Sequence, residues 1–227
     1  SCVVKNREAV SGISCFDSVA AAIASAPADG KRPYRIRITR GIWREKIVID
    51  KPNIHLFGDD RNDCVLSFDA AAGMLQPDGS PWGTWGCASV IVRAPDFRAE
   101  NLRIENAFDY VGNLSAPKFE VIGPNGAQAV ALMLDTGSDR CVLKNVDISS
   151  HQDTLFVDAG QHLFQHCRIS GSVDFIFGAG VAFIEDCDIV SRLRPGKERQ
   201  GYIAVPSTLQ TQTHGLIFSR CRLLREK

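Results

Sequence analysis

The sequence has no apolar run of the roughly 18 residues that a membrane-crossing helix demands. It has no excess of charge of either sign: 26 Lys and Arg stand against 26 Asp and Glu, so bulk charge gives no reason to expect nucleic acid or an anionic membrane as partner. None of the 8 cysteines forms a C-x-x-C pair, which argues against a zinc ribbon or a thioredoxin-like site. There is no G-x-S-x-G, no phosphate-binding glycine loop and no basic stripe, so serine hydrolases, nucleotide enzymes and nucleic-acid binders lack support. The first residues, SCVVKNREAV, do not read as a basic segment followed by an apolar one, and whether a signal peptide once preceded them stays open. What remains, 44% hydrophobic and 23% charged residues over 227 positions, is ordinary for a soluble globular protein.

One helical pattern is present, FDSVAAAIASAP, where Val19 and Ile23 give a narrow apolar face among alanines. Ser14 or Asp17 is the expected N-cap and Pro27 marks the end. The rest consists of short β-rich runs (YRIRIT, KIVI, NIHLF, SVIV) separated by Gly, Pro, Asn and Asp.

The runs resolve into an approximate repeat: FRAENLRIEN (97–106), CVLKNVDISS (141–150), HLFQHCRISG (162–171), AFIEDCDIVS (182–191) and LIFSRCRLLR (216–225). Ala99, Leu143, Phe164, Ile184 and Phe218 share the third column. Leu102, Val146, Cys167, Cys187 and Cys221 share the sixth, and Ile104, Ile148, Ile169, Ile189 and Leu223 the eighth. Columns six and eight alternate with polar residues, so each copy reads as a strand with one buried face, after a bend that separates it from a shorter strand. Successive copies lie 44, 21, 20 and 34 residues apart, which suggests two turns in the first gap and one turn with an inserted loop in the last. A strand returning every 20 to 22 residues without crossover helices, and without a leucine-rich-repeat signature, predicts an all-β parallel β-helix behind a short N-terminal capping helix. Cys167 and Cys187 fall in one column on adjacent coils, where a disulfide is feasible and an unoxidised cysteine ladder is the alternative.

The repeat also places two carboxylates. Asp153 lies eight residues beyond Asn145 and Asp174 eight beyond His166, and Asn145 and His166 occupy one column. The two aspartates should therefore stack on neighbouring coils. Like charges that close repel, which raises one pKa and leaves the other group ionised, the division of labour that acid–base and nucleophilic chemistry needs. Their apolar company, HQDTLF and SVDFIFG, is not that of solvated surface charges. Gln152 beside Asp153, and Gln128 in GAQAVALML on an earlier coil, can donate amide hydrogen bonds to a developing oxyanion. His162 and His166 are four apart on a strand, too far to share a metal. Alternation points His151 away from Gln152, and Asn113-Leu114-Ser115 matches a glycosylation sequon that is common by chance.

GAQAVAL, HQDTLF and SVDFIFG, in this order and spacing, resemble the signature segments of pectin methylesterases, and GIWREKIVI, WGTWGCASV, FRAENLRIEN and GYIAVPST extend the likeness from about residue 15 to the end. The resemblance implies a right-handed parallel β-helix, one domain over residues 1–227, that removes methanol from methylated polygalacturonate without metal or organic cofactor. It implies Asp174 as nucleophile, Asp153 as acid and then base, and Gln152 with Gln128 as oxyanion donors. It further implies Thr84, Phe156, Val173 and Phe177 along the sugar cleft, a Cys167–Cys187 bridge and a secreted or periplasmic location, while a monomer is the default expectation. One departure stands out: the family's L-G-R-P-W segment, whose arginine pairs with the nucleophile, does not occur before the chain stops at LLREK, so a fragment is expected. Arg194, eight residues beyond Asp186, could take that arginine's place only if the register holds. A different esterase or thioesterase on the same scaffold, a non-catalytic carbohydrate-binding solenoid, and a pectate lyase or polygalacturonase are the competing readings.

Overall fold

In the computed structural model the ten-residue repeat becomes two short strands hinged on a left-handed residue. The structure describes residues 2–4, 12, 14–115, 126–196 and 201–226, which include every candidate site residue. The fifth column of the repeat, Asn101, Asn145, His166, Asp186 and Arg220, has φ between 51° and 54°. Such a φ costs an L-residue about 1 kcal/mol, and Asn and Asp tolerate it best. Stacked side chains offset the cost: Asn145 Nδ2 donates to Asn101 Oδ1 at 2.8 Å, and the Arg220 guanidinium binds both Asp186 and Glu185.

Each full coil adds one parallel strand to each of three sheets, of nine, seven and six strands among the described residues. The first sheet runs through Tyr34–Ile38, Ile54–Gly58, Arg98–Glu100, Cys141–Lys144, Gln161–Gln165, Val181–Glu185 and Leu216–Ser219. The second holds the other half of the repeat, such as Asp147–Ser149 and Arg168–Gly171. The third is built from Ile47–Ile49, Val90–Val92, Leu132–Leu134, Leu155–Val157, Ile176–Gly178 and Ala204–Pro206. The result is a right-handed parallel β-helix. Inward columns stack into the core: Ala99, Leu143, Phe164 and Ile184 are fully buried, as are Ile104, Ile148, Ile169 and Ile189. In the last strands Phe218 and Leu223 stay 38% and 67% exposed.

Three expectations need correcting. Ala99 pairs directly with Leu143, so the 44-residue gap is one coil with a long insertion and not two turns. An insertion leaves the inward pattern on both sides intact, so spacing alone counted it as a coil. The N-cap of the helix Val19–Ala24 is Ser18, whose hydroxyl accepts from Ala21 N–H at 3.1 Å, while Ser14 opens the strand Ser14–Phe16. The Glu45 carboxylate takes the Val19 and Ala20 N–H groups, so the first turn is satisfied from a distant strand end. Finally, Cys167 and Cys187 are thiols and not a bridge. Cys167 Sγ donates to the Leu143 carbonyl, Cys187 Sγ to Phe164 and Cys221 Sγ to Ile184, so each thiol caps a carbonyl of the preceding coil. Cys187 Sγ also accepts from Cys167 N–H at 3.2 Å, which makes the column a hydrogen-bonded thiol ladder.

Two insertions flank the third sheet, one after Cys64–Phe68 and one after Arg103–Asn106. Buried Asn106 ties them to the coils, its amide nitrogen lying 2.8, 3.1 and 3.0 Å from the carbonyls of Ala70, Cys87 and Val130. Left unpaired inside the protein, three such carbonyls would each cost about 1–3 kcal/mol.

Candidate functional site

Asp153 and Asp174 occupy equivalent positions on successive coils, each immediately ahead of the third sheet. Gln152 bridges Val173 in parallel register, Leu155 pairs with Ile176, and Asp153 N–H donates to Val173 O at 3.0 Å. Adjacent rungs are about 4.8 Å apart, so the carboxyl-bearing residues sit one rung from each other. Both are left-handed, with φ of 61° and 49°, and here the turn that joins the second sheet to the third is made by an acid. The glycine that closes SVDFIFG has a steric reason: at Gly178, φ 122°, a Cβ would lie 1.9 Å from the Val157 carbonyl oxygen.

The two acids differ in their surroundings. Asp153 is 9% exposed, and burial, followed by the charge of Asp174, pushes its carboxyl up to about 7. Asp174 is half-buried. Asp153 therefore keeps its proton up to about neutral pH, the arrangement that lets a buried carboxyl act as an acid.

Gln152 and Gln128, 6% and 7% exposed, come together on neighbouring coils, with Ala129 N–H donating to the Gln152 carbonyl at 3.0 Å. Gln128 Oε1 accepts from Gly126 N–H at 3.2 Å, which fixes the amide and leaves its nitrogen as the donor end. Phe156 and Phe177, each three residues beyond an aspartate, are in register and stack at 4.2 Å with an 18° interplanar angle. Thr84 sits in the short helix Gly83–Gly86 of the first insertion, and Val173 is half-buried beside Asp174.

The structure adds residues that pattern-reading missed. Trp85, 59% exposed, meets Phe156 edge-on at 5.1 Å and extends the aromatic ladder to three rings. Its signal in the sequence, a second Trp in WGTWGCASV, gives no period that would tie it to Phe156. Cys87 Sγ lies 3.4 Å from the Thr84 carbonyl and 3.5 Å from that of Gln128, and burial raises the thiol to about 11. Lys46 Nζ donates to the Gly86 and Ala88 carbonyls and lies 4.8 Å from the centre of the Trp82 ring, and burial lowers it to about 8. It therefore clamps the backbone that carries Thr84 and Trp85.

His151 points away from this group: its ring stacks on Tyr110 at 4.8 Å and its Nδ1 lies 3.3 Å from Ser172 Oγ. Burial, then the charge of Arg192, lowers the His151 imidazole to about 4, with Arg194 acting the same way more weakly, while among the described residues burial and then Asp174 raise Asp153. No helix among the described residues is long and apolar enough to cross a membrane.

Comparison with known proteins places this arrangement in context. The pectinesterase family profile matches residues 6–227. Pectinesterase A of Dickeya dadantii is 42% identical over 214 residues, which are 93% of this chain and 58% of that protein. The pectinesterase of Daucus carota is 32% identical, covering 95% of this chain and 61% of that protein. Among solved structures, pectin methylesterase PemA from Erwinia chrysanthemi superposes with a TM-score of 0.91 at 40% identity, over 100% of this chain and 66% of the other. A pectin methylesterase in complex with a hexasaccharide superposes at 0.90. The chain thus spans less than two thirds of the length of these relatives.

Proposed function

Since the chain belongs to the pectinesterase family, we propose that it carries the catalytic turns of an enzyme that hydrolyses methyl esters of polygalacturonate. The observation that carries this reading is the pair of stacked aspartates, one buried with its carboxyl raised to about 7, beside two buried glutamines. Asp174 attacks the C6 ester carbonyl, and the Gln152 and Gln128 amides donate to the oxyanion that forms. Asp153 gives its proton to the departing methoxide, releasing methanol and leaving an acyl anhydride on Asp174. The Asp153 carboxylate then takes a proton from water, the hydroxide attacks the acyl carbon, and Asp174 leaves as carboxylate with both acids restored. Phe156, Phe177 and Trp85 offer faces for sugar rings, flanked by Thr84 and Val173. The chemistry needs no metal or organic cofactor. Pectin lies outside the cytoplasm, so the reading includes a secreted or periplasmic site of action, as a monomer.

The test is methanol release from highly methylated pectin, run beside hydrolysis of a small acyl ester. Methanol from pectin with little turnover of the small ester is expected. The reverse preference would favour a different esterase on this scaffold, and pectin binding without methanol would favour a carbohydrate-binding solenoid.

Lys46 gives a separate prediction. Lys46→Met should loosen the segment bearing Thr84 and Trp85 and raise KM for pectin about fivefold, roughly 1 kcal/mol, with a smaller change in kcat. Lys46→Arg, which keeps the charge over Trp82, should recover part of the loss. An unchanged KM in Lys46→Met would remove Lys46 from the positioning of this segment.

A further inference from the structure

The outer face of the first sheet carries a second feature, away from the acids that head the third sheet. Arg35 pairs with His55 and His55 with Arg98 in strand register, so three basic side chains stand in one outward column. Strand spacing puts the two arginines about 10 Å apart with the imidazole between them. Neither guanidinium forms an ion pair or side-chain hydrogen bond among the described residues, whereas Arg37 is tied to Asp59 and Arg140 to Asp96. Glu100, in the next outward column, faces Lys144 in register, and among the described residues the nearest acids to the basic column are Glu100 and Asp96, neither of them hydrogen-bonded to Arg35 or Arg98.

The column borders a cavity of about 70 Å³ lined by Arg35, His55, Phe57, Arg98 and Glu100. His55 Nε2 is buried beside it without a hydrogen-bond partner. Arg35 lies over the Phe57 ring, 4.9 Å from its centre, so an aromatic surface adjoins the charges. Two guanidinium groups two rungs apart, on either side of a buried nitrogen without a hydrogen-bond partner, are a setting that a bound anion would relieve.

We propose that the Arg35–His55–Arg98 column is an accessory subsite that binds the carboxylates of a polyuronate chain, the de-esterified form of the substrate. The two arginines hold charges about two rungs apart, which suits a polymer with regularly repeated carboxylates. His55 Nε2–H donates to the bound anion, and Phe57 supplies an apolar face for a sugar ring. The choice of polymer rests on the pectinesterase reading, but the site itself does not touch the esterase residues.

His55 reports on its own occupancy. Burial, then Arg98 and Arg35, holds its pKa below the ordinary histidine value, while Glu100 and Asp96 act weakly the other way. A carboxylate entering between the arginines reverses that balance. The experiment follows the His55 ring resonances by NMR through a pH titration, alone, with unmethylated oligogalacturonate, with its fully methylated form, and with sulfate at matched ionic strength. The expected result is a rise of about one unit with the unmethylated oligomer alone, lost in Arg35→Ala/Arg98→Ala. That variant should release methanol from pectin at the parent rate, because neither arginine belongs to the esterase site. No shift with the oligomer, or an equal shift with sulfate, would overturn the proposal. Methanol release is read separately, so failure of the esterase reading and failure of this subsite give different results.

Discussion

Asp174→Asn should abolish methanol release from pectin, with a loss of at least about a thousandfold in kcat, while leaving the fold intact. Asparagine is the informative replacement because position 174 is left-handed, at φ 49°, where Asn is tolerated and alanine is strained by about 1 kcal/mol. The change keeps the volume and the hydrogen-bonding end of a half-buried side chain and removes only the nucleophilic charge. Near-wild-type melting together with retained binding of pectin would then locate the defect in chemistry. Methanol release within tenfold of the parent would mean that Asp174 is not the nucleophile, and the esterase reading would have to pass to another group.

The solenoid was legible because its repeat obeys two periods at once, alternation within a strand and recurrence near 21 residues, and both follow from burial. Columns through Leu143, Phe164 and Ile184 or Ile148, Ile169 and Ile189 can be aligned by eye since each is fully buried. The same alignment carried Asp153 and Asp174 into one column, and register on the third sheet bears that placement out. The pattern could not deliver what depends on insertions. The loop after Cys64–Phe68 brings Thr84, Trp85 and Cys87 over the third sheet through Lys46 and Asn106, and those contacts span 40 and 19 residues with no period to announce them. The coil count failed for the same reason between Ala99 and Leu143. The thiol ladder was legible as a column, but its oxidation state is not a property of spacing.

Asp153 carries the second large effect, on stability as well as activity. Its carboxyl titrates near 7 in the folded protein against about 3.9 in an unfolded chain, so between those values the native state holds a proton that the unfolded state has released. Where the native state binds more protons, stability falls as pH rises. The penalty is absent below about pH 4, grows through the window and is complete above about 7, with an upper bound of about 4 kcal/mol for three units. Asp153→Asn removes the titrating group, keeps a residue tolerant of φ 61°, and leaves Asp174 without a like-charged neighbour. The variant should therefore be more stable than the parent by about 2–4 kcal/mol at pH 8, raising Tm by roughly 5–12 °C, and should match it within about 1 kcal/mol at pH 3. Methanol release should fall at every pH, because no acid remains to protonate the methoxide. Melting curves that run parallel from pH 3 to pH 8 would show that burial does not hold the Asp153 proton. A more stable and less active variant would show the opposite: the fold keeps a buried acid at this turn at a cost in stability, and the return for that cost is a proton held in place for the leaving group.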